Sequence, residues 1–366
     1  MINEPKNNIE NVIVIGGGPA GLAAALYTAR ANLKPFVIAG SPPGGQLTLT
    51  SDVENYPGFE SILGPELIQK YRAHTLKFGT RFADENVTSV DFSKSPFTLH
   101  TGSVEMGKSY QAKSIIIATG AKALWLGLDN ETRLRGKGVS ACATCDGFFF
   151  KEKVVAVVGG GDTAMEEVLT LVKFASKVYL IHRRNAFRAS KIMQERVKSH
   201  PKVEILYNTQ VVDVLGENKV EGIKIAKVSN GQTANKNVIL NDSEGSLANA
   251  SSSDKLRDSS PAKQVQNDNS ESELKVDGFF LAIGHKPDTE VFKGHIDLDE
   301  KGYVMTDLMA AWKGKKPQTP FQTMTSTPGV FAAGDNVDYI YRQAATAVGM
   351  GVAAALDAER WLETQE

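Results

Sequence analysis

Short apolar runs punctuate this chain and set its expected frame. Val12–Ile15, Pro35–Ile38, Ile115–Ile117, Val154–Val158, Val178–Ile181 and Gly329–Ala333 are compact stretches dominated by β-branched and small residues. Runs of this length without alternation read as parallel strands buried on both faces. Alanine-rich segments predicted to be helical lie beside them: Leu22–Arg30 after the first run, and, after the last run, a final helix beginning at Arg342-Gln343-Ala344-Ala345 and running to about Leu362. Val211 to Ile225 predicts short strands around a Gly216-Glu217-Asn218 turn, and Leu274–Ile283 resumes strand character. Strands alternating with helices predict an α/β fold.

One stretch breaks the pattern. From about Asn230 to Ser272 the chain turns to Ser, Asn, Asp, Lys and Gln, with Val238-Ile239-Leu240 as its only apolar run. It reads as a flexible insert in the loop between two strands, not a folded module. Lengthening such a loop tenfold costs only ~2 kcal/mol of closure entropy, so the fold tolerates it.

Two of the strand ends carry a glycine fingerprint. Val12–Ile15 feeds Gly16-Gly17-Gly18-Pro19-Ala20-Gly21 and then a helix. In this context the first glycine permits the tight turn, Gly18 admits a pyrophosphate close to the backbone, and Gly21 lets helix and strand pack closely. The acid expected to hold a ribose after the next strand is missing; Ala39-Gly40-Ser41 stands there, which weakens NAD for this site. Val154–Val158 feeds Gly159-Gly160-Gly161-Asp162-Thr163-Ala164, and the strand after it ends in His182-Arg183-Arg184, with Arg188 close behind. Guanidinium groups in place of the ribose acid suit a 2′-phosphate, so the second site should take NADP. Gly44-Gly45-Gln46-Leu47-Thr48 and Glu54-Asn55-Tyr56-Pro57-Gly58 are polar loops suited to a large polar ligand. Ala118-Thr119-Gly120 and Gly334-Asp335 end strands where a sheet meets its ligand, and an acid at 335 can accept bonds from ribose or ribityl hydroxyls.

Composition removes several alternatives. A formal net charge of −1 gives no electrostatic case for nucleic acid or an anionic membrane. No apolar run approaches the ~18–20 residues of a bilayer span, and the polar Met1–Asn8 lacks a signal-peptide core. At 366 residues the prior is two domains, and the expected address is the cytoplasm.

Both cysteines of the chain fall at Cys142 and Cys145. The spacing suits a disulfide on one turn or half of a metal site. No further Cys exists and His74, His100, His182, His200, His285 and His295 are scattered, so no metal is expected and a redox disulfide is the favoured reading. Two dinucleotide units flanking such a pair imply two nucleotides. One can be a flavin, which bridges hydride and thiol chemistry. Asp146, next to Cys145, can deliver the proton a leaving thiolate requires.

Taken in order, these motifs, with Ala141–Phe149, Ala282-Ile283-Gly284-His285 and Arg342-Gln343-Ala344, resemble those of the low-molecular-weight thioredoxin reductases over nearly the whole chain outside the insert. The resemblance implies two Rossmann-like domains. An FAD domain would be split over 1–122 and 286–366, and the NADPH and disulfide domain, 123–285, inserted within it. It implies a homodimer that passes electrons from NADPH to FAD, to the disulfide and on to thioredoxin. Cys145 would receive electrons from the flavin, Cys142 would attack thioredoxin, and Asp146 would move the proton. FAD contacts carried over are Gly16, Gly17, Gly18, Pro19, Ala20, Gly21, Gly45, Gln46, Asn55, Val87, Ala118, Thr119, Gly120, Gly334, Asp335, Arg342, Gln343 and Ala344. For NADPH they are Gly159, Gly160, Gly161, Asp162, Thr163, His182, Arg183, Arg184, Arg188, Ile283 and Gly284. Residues near 121–123 and 285–287 would be hinges for a rotating NADPH domain. The flavoprotein of a peroxide-reducing system is the alternative, disfavoured for want of a second Cys pair; a dithiol oxidase is disfavoured by the retained NADP motifs.

Overall fold

The computed structural model describes residues 9–49, 52–102, 107–228 and 271–365. By its internal packing the chain divides into two units, residues 1–123 with 285–366, and residues 124–284. Residues 229–270, which hold Val238-Ile239-Leu240 and nearly all of the expected insert, lie outside the described residues.

The first unit is built on a seven-stranded sheet. Strand Ile9–Ile15 lies parallel between Phe36–Ile38 and Lys108–Ile117, and Val330–Ala332 adds to the far side of the latter. Phe97–Thr101 and Val87–Asp91 extend the sheet antiparallel. Alternation along these strands supplies two cores. Ile13, Ile15, Ile115, Ile117 and Val330 pack on one face with Phe97 and Phe292. Val12, Val14, Ile116 and Phe331 face the other way, onto alanines of helices Pro19–Arg30 and Ala344–Glu363. Those helices press so closely that a Cβ on Gly351 would sit 2.1 Å from the Ala20 carbonyl oxygen.

The second unit repeats the plan. Five parallel strands run in the order Val139–Ser140, Gly278–Ala282, Val154–Gly159, Lys177–His182, Val203–Tyr207. Val155, Val157, Leu180 and Phe280 fill one face; Ala156, Val158, Ile181 and Phe279 fill the other. Phe279 and Phe280 are fully buried, each contributing roughly 1.5–3 kcal/mol by leaving water. A three-stranded antiparallel sheet, Thr209–Leu215, Gly222–Lys227 and Ser272–Leu274, flanks it.

Two expectations are redrawn. Leu274–Ile283 is two strands in different sheets, broken around Lys275–Asp277. The last helix starts at Ala344, because Arg342 sits at φ 49° and Gln343 is the N-cap.

Candidate active site

In the second unit everything singled out for chemistry gathers at one edge, the carboxyl ends of adjacent parallel strands. Strand Val139–Ser140 runs into Cys142, Val154–Gly159 into the glycine turn, Lys177–His182 into the arginines, and Gly278–Ala282 into Ile283 and Gly284. That is where ligands bind in open α/β sheets. Gly161 caps helix Asp162–Leu171, and a Cβ there would meet nothing within 4 Å, so the turn is open on the ligand side. On its inner side the turn is closed: a Cβ on Gly160 would come within 2.2 Å of the His182 ring.

His182 is therefore a wall of this turn. It is buried, its Nε2 lies 3.0 Å from the Ala186 carbonyl oxygen, and burial pushes the imidazole below its ordinary range, holding it neutral. Asp162 accepts the Ser190 amide at 2.8 Å, which ties the loop after the arginines to the start of the helix. The Arg188 amide likewise donates to Gly160 O at 2.8 Å. Arg184 and Arg188 are exposed and Arg183 half-buried, so this corner offers its positive charge outward.

Cys142 and Cys145 form a disulfide with Cα atoms 5.3 Å apart. Cys142 caps the short helix Ala143–Asp146, and the Cys145 amide donates to its Sγ at 3.1 Å. Cys142 is half-buried and Cys145 exposed. Ser140 Oγ accepts the Cys142 amide at 3.0 Å. Burial pushes the Asp146 carboxyl above its ordinary range, partly countered by the Ser140 hydroxyl, so it keeps a proton to higher pH than a free side chain. Directly after it Phe148 and Phe149 stand 61% and 39% exposed with rings 6.5 Å apart. Both lie within the Ala141–Phe149 motif, where the sequence assigns them no role of their own; their signal was three consecutive phenylalanines beside the cysteines.

In the first unit the fingerprint is tighter. Gly16 has φ 122°, and a Cβ on it would lie 2.1 Å from Ala118 O. Gly45 folds against Gly18, its own would-be Cβ 3.6 Å from the Gly18 Cα. A cavity of about 250 Å³ opens beside this turn, lined by Gly17, Leu22, Ala39, Gly44 and Thr48 among others. Gly16–Gly21, Ala118–Gly120 and Gly334–Asp335 all follow the carboxyl ends of neighbouring strands. Asn55 Nδ2 donates to Gln343 Oε1 at 3.3 Å, bringing two expected contacts together across the sequence. Val87 stands apart, opening an outer strand, and its neighbour Asn86 accepts the Ser41 amide at 2.9 Å. Pro19 and Ala20 form the first turn of their helix, and Ala344 that of the last. Gln46 sits in the exposed turn Gly45–Leu49.

At this edge the buried oxygens Thr119 Oγ1, Asp335 Oδ1 and Asn336 Oδ1 have no hydrogen-bond partner among the described residues. Such atoms fit the hydroxyls and phosphate of a flavin dinucleotide. Burial, reinforced by Asp338, pushes the Asp335 carboxyl up to about 7 despite Arg342. Arg342 turns elsewhere: its guanidinium donates to His285 Nδ1, and burial with that neighbouring charge lowers the imidazole to about 4. Asp338 accepts the amides of Ile340, Tyr341 and Arg342 at 2.8–3.0 Å and so shapes the approach to the last helix.

Comparison with known proteins agrees with this arrangement. The pyridine nucleotide-disulphide oxidoreductase family matches residues 10–243 and 246–351. A thioredoxin reductase of Rickettsia conorii is 45% identical over 96% of this chain and 97% of its own. The chain belongs to this family, among its thioredoxin reductases. Solved thioredoxin reductases carry the likeness into three dimensions. That of Giardia duodenalis is 37% identical with a TM-score of 0.78, covering 96% of this chain and 98% of its own. That of Streptococcus pyogenes is 33% identical, also at 0.78, over 98% and 100%. Among the described residues no helix is long and apolar enough to cross a membrane, and no cluster of His, Cys, Asp or Glu could hold a metal ion.

Proposed function

We propose that this protein reduces the disulfide of a thioredoxin with electrons from NADPH, handed on through FAD and the Cys142–Cys145 pair. The observation that carries the reading is a disulfide whose Cys145 is exposed and Cys142 half-buried, beside two exposed phenylalanine rings, a surface suited to another protein. When bound, FAD accepts hydride from NADPH and supplies two electrons to the disulfide.

Thr119, Asp335, the Gly16–Gly21 turn and the Asn55–Gln343 pair would hold FAD. Gly159–Thr163 with Arg183, Arg184 and Arg188 would hold NADPH, with Ile283 and Gly284 beside them. The Gly160 and Asp162 contacts keep those arginines in place. Once the pair is reduced, the Cys142 thiolate, steadied by the Cys145 amide, attacks one sulfur of the substrate disulfide. The first substrate thiolate leaves and takes a proton, for which the raised Asp146 carboxyl is the nearby donor. Cys145 then attacks Cys142 Sγ, restoring the disulfide and releasing the second substrate thiolate. The short helix keeps that second attack intramolecular.

Both cysteines of the chain lie in this pair, which suits a reducing compartment, so the reading places the protein in the cytoplasm. By likeness to the family the working unit is a homodimer, which sedimentation of the purified chain checks. The central test is NADPH oxidation by the FAD-loaded protein across a panel of thioredoxins, with NADH alongside. No thioredoxin-dependent rate, or a preference for NADH, sinks the reading. Asp146→Asn should lower turnover and change its pH profile; an unchanged profile removes the proton-transfer role.

A further inference from the structure

Helix Asp162–Leu171 serves two places. Its first turn, capped by Gly161, borders the glycine loop; further along, Glu167 Oε2 accepts the amide of Ala143, the residue just after Cys142. Ala143 is 1% exposed, so its N–H needs a protein acceptor, and orphaning such a donor costs about 1–3 kcal/mol. A serine or a backbone carbonyl could accept the same bond. A carboxylate does more, because it brings negative charge next to the residue whose thiolate must form.

That charge opposes another contact in the same loop. The Cys145 amide points at Cys142 Sγ and favours a Cys142 thiolate. Glu167 disfavours it by repulsion. Asp146, on the cysteine helix itself, is a second ionisable group beside the pair. Strand Val139–Ser140 brings only a hydroxyl, and the turn Gly147–Phe150 only glycine and phenylalanines.

We propose that Glu167 is a positioning residue for the redox pair, fixing the cysteine loop to the helix of the glycine turn and withholding thiolate character from Cys142. The proposal rests on the redox role given to the pair above. Holding the thiols protonated disfavours the dithiol's ionised form and makes the pair a stronger reductant. The same helix thus couples the glycine turn to the basicity of the thiol.

The test uses full-chain protein reduced with dithiothreitol, desalted and alkylated with iodoacetamide across a pH series, with ultraviolet thiolate absorbance read in parallel. Glu167→Gln keeps an oxygen acceptor for Ala143 but loses the charge. It should raise the thiolate fraction at neutral pH by about three- to tenfold and shift the alkylation profile to lower pH. Its pair should also come to equilibrium with a glutathione buffer on the more oxidising side of the natural protein. Glu166→Gln, an exposed neighbour on the same helix, should leave the profile where it was. Glu167→Ala removes the acceptor as well, and a mixed disulfide with a small-molecule probe should persist longer, because the loop no longer presents Cys145 to resolve it. An unshifted profile in folded Glu167→Gln, or an equal shift in Glu166→Gln, overturns the proposal. A natural protein whose pair NADPH cannot reduce sinks the electron-path reading instead, while the dithiothreitol-based shift stands or falls by itself.

Discussion

The chain builds one motif twice, and the two copies solve the same packing problem with different residues. In each, the second glycine abuts the end of the next strand: a Cβ on Gly17 would lie 2.9 Å from the Ala39 Cβ, and one on Gly160 would strike the His182 ring. In each, the third glycine caps the helix; a Cβ on Gly161 would meet nothing within 4 Å, and one on Gly18 only the Gly44 carbonyl oxygen, 4.0 Å away. The copies part at the last position. Gly21 cannot carry a Cβ, which would meet Gly16 O at 2.0 Å, whereas Ala164 sits comfortably in the second copy. The cause is the backbone of the first glycine. Gly16 takes φ 122° and aims its carbonyl at the helix, while Gly159 stays in ordinary strand geometry. The final glycine is therefore needed only where the turn is tightest.

The largest effect should come from Gly21→Ala, which forces a methyl into a carbonyl and costs on the order of 3 kcal/mol. Thermal unfolding of the apoprotein should show that loss, and flavin retention on purification should fall with it. Next, replacing Arg183 and Arg184 with Gln should raise KM for NADPH on the order of a hundredfold, since each charge-assisted bond contributes about 1.5–3 kcal/mol. KM for NADH should barely move, and an equal rise for both nucleotides would refute the assignment of the second turn to a 2′-phosphate.

Asp335 gives a pH-dependent contrast. Its carboxyl is held at about 7 in the folded chain against an ordinary 3.8, so the folded state binds the proton more tightly and loses stability as pH rises between those values. Asp335→Asn should therefore raise the apoprotein Tm by a few degrees above about pH 7, with the gain fading toward pH 4. A gain independent of pH would show that burial of the carboxylate is not the cause. The smallest effect belongs to Ala164→Gly, about 1 kcal/mol from helix propensity, with the nucleotide preference unchanged. If it matched Gly21→Ala in size, the asymmetry between the turns would be wrong.

Much of this was legible in the sequence because it is local. A strand, a glycine turn and a helix follow one another directly at Val12–Arg30 and at Val154–Leu171. The paired cysteines and the arginines after His182 needed only spacing. What escaped depends on the fold bringing distant residues together. Glu167 and Ala143 meet because two helices pack side by side, and nothing in either segment announces it. His285 and Arg342 lie 57 residues apart in the segment that completes the first unit, and meet only through its folding. His182 was expected among the nucleotide contacts, and its packing against Gly160 of the glycine turn is likewise a meeting that only the fold brings about. The start of the last helix was misplaced for a local reason: Arg342 takes a left-handed conformation, which the alanine-rich pattern conceals.

The hairpin of the flanking sheet has a consequence for how this gene could be remodelled. Ile225 pairs with Ser272 and Ile223 with Leu274, so the ladder closes immediately on either side of residues 229–270. Strands already in register can be joined by a turn of two residues. Because the flanking strands hold their own register, a chain in which 229–270 are replaced by a short turn, or by a foreign tag or domain, should keep its glycine turns and cysteine loop, and so offers a port for attaching new binding partners.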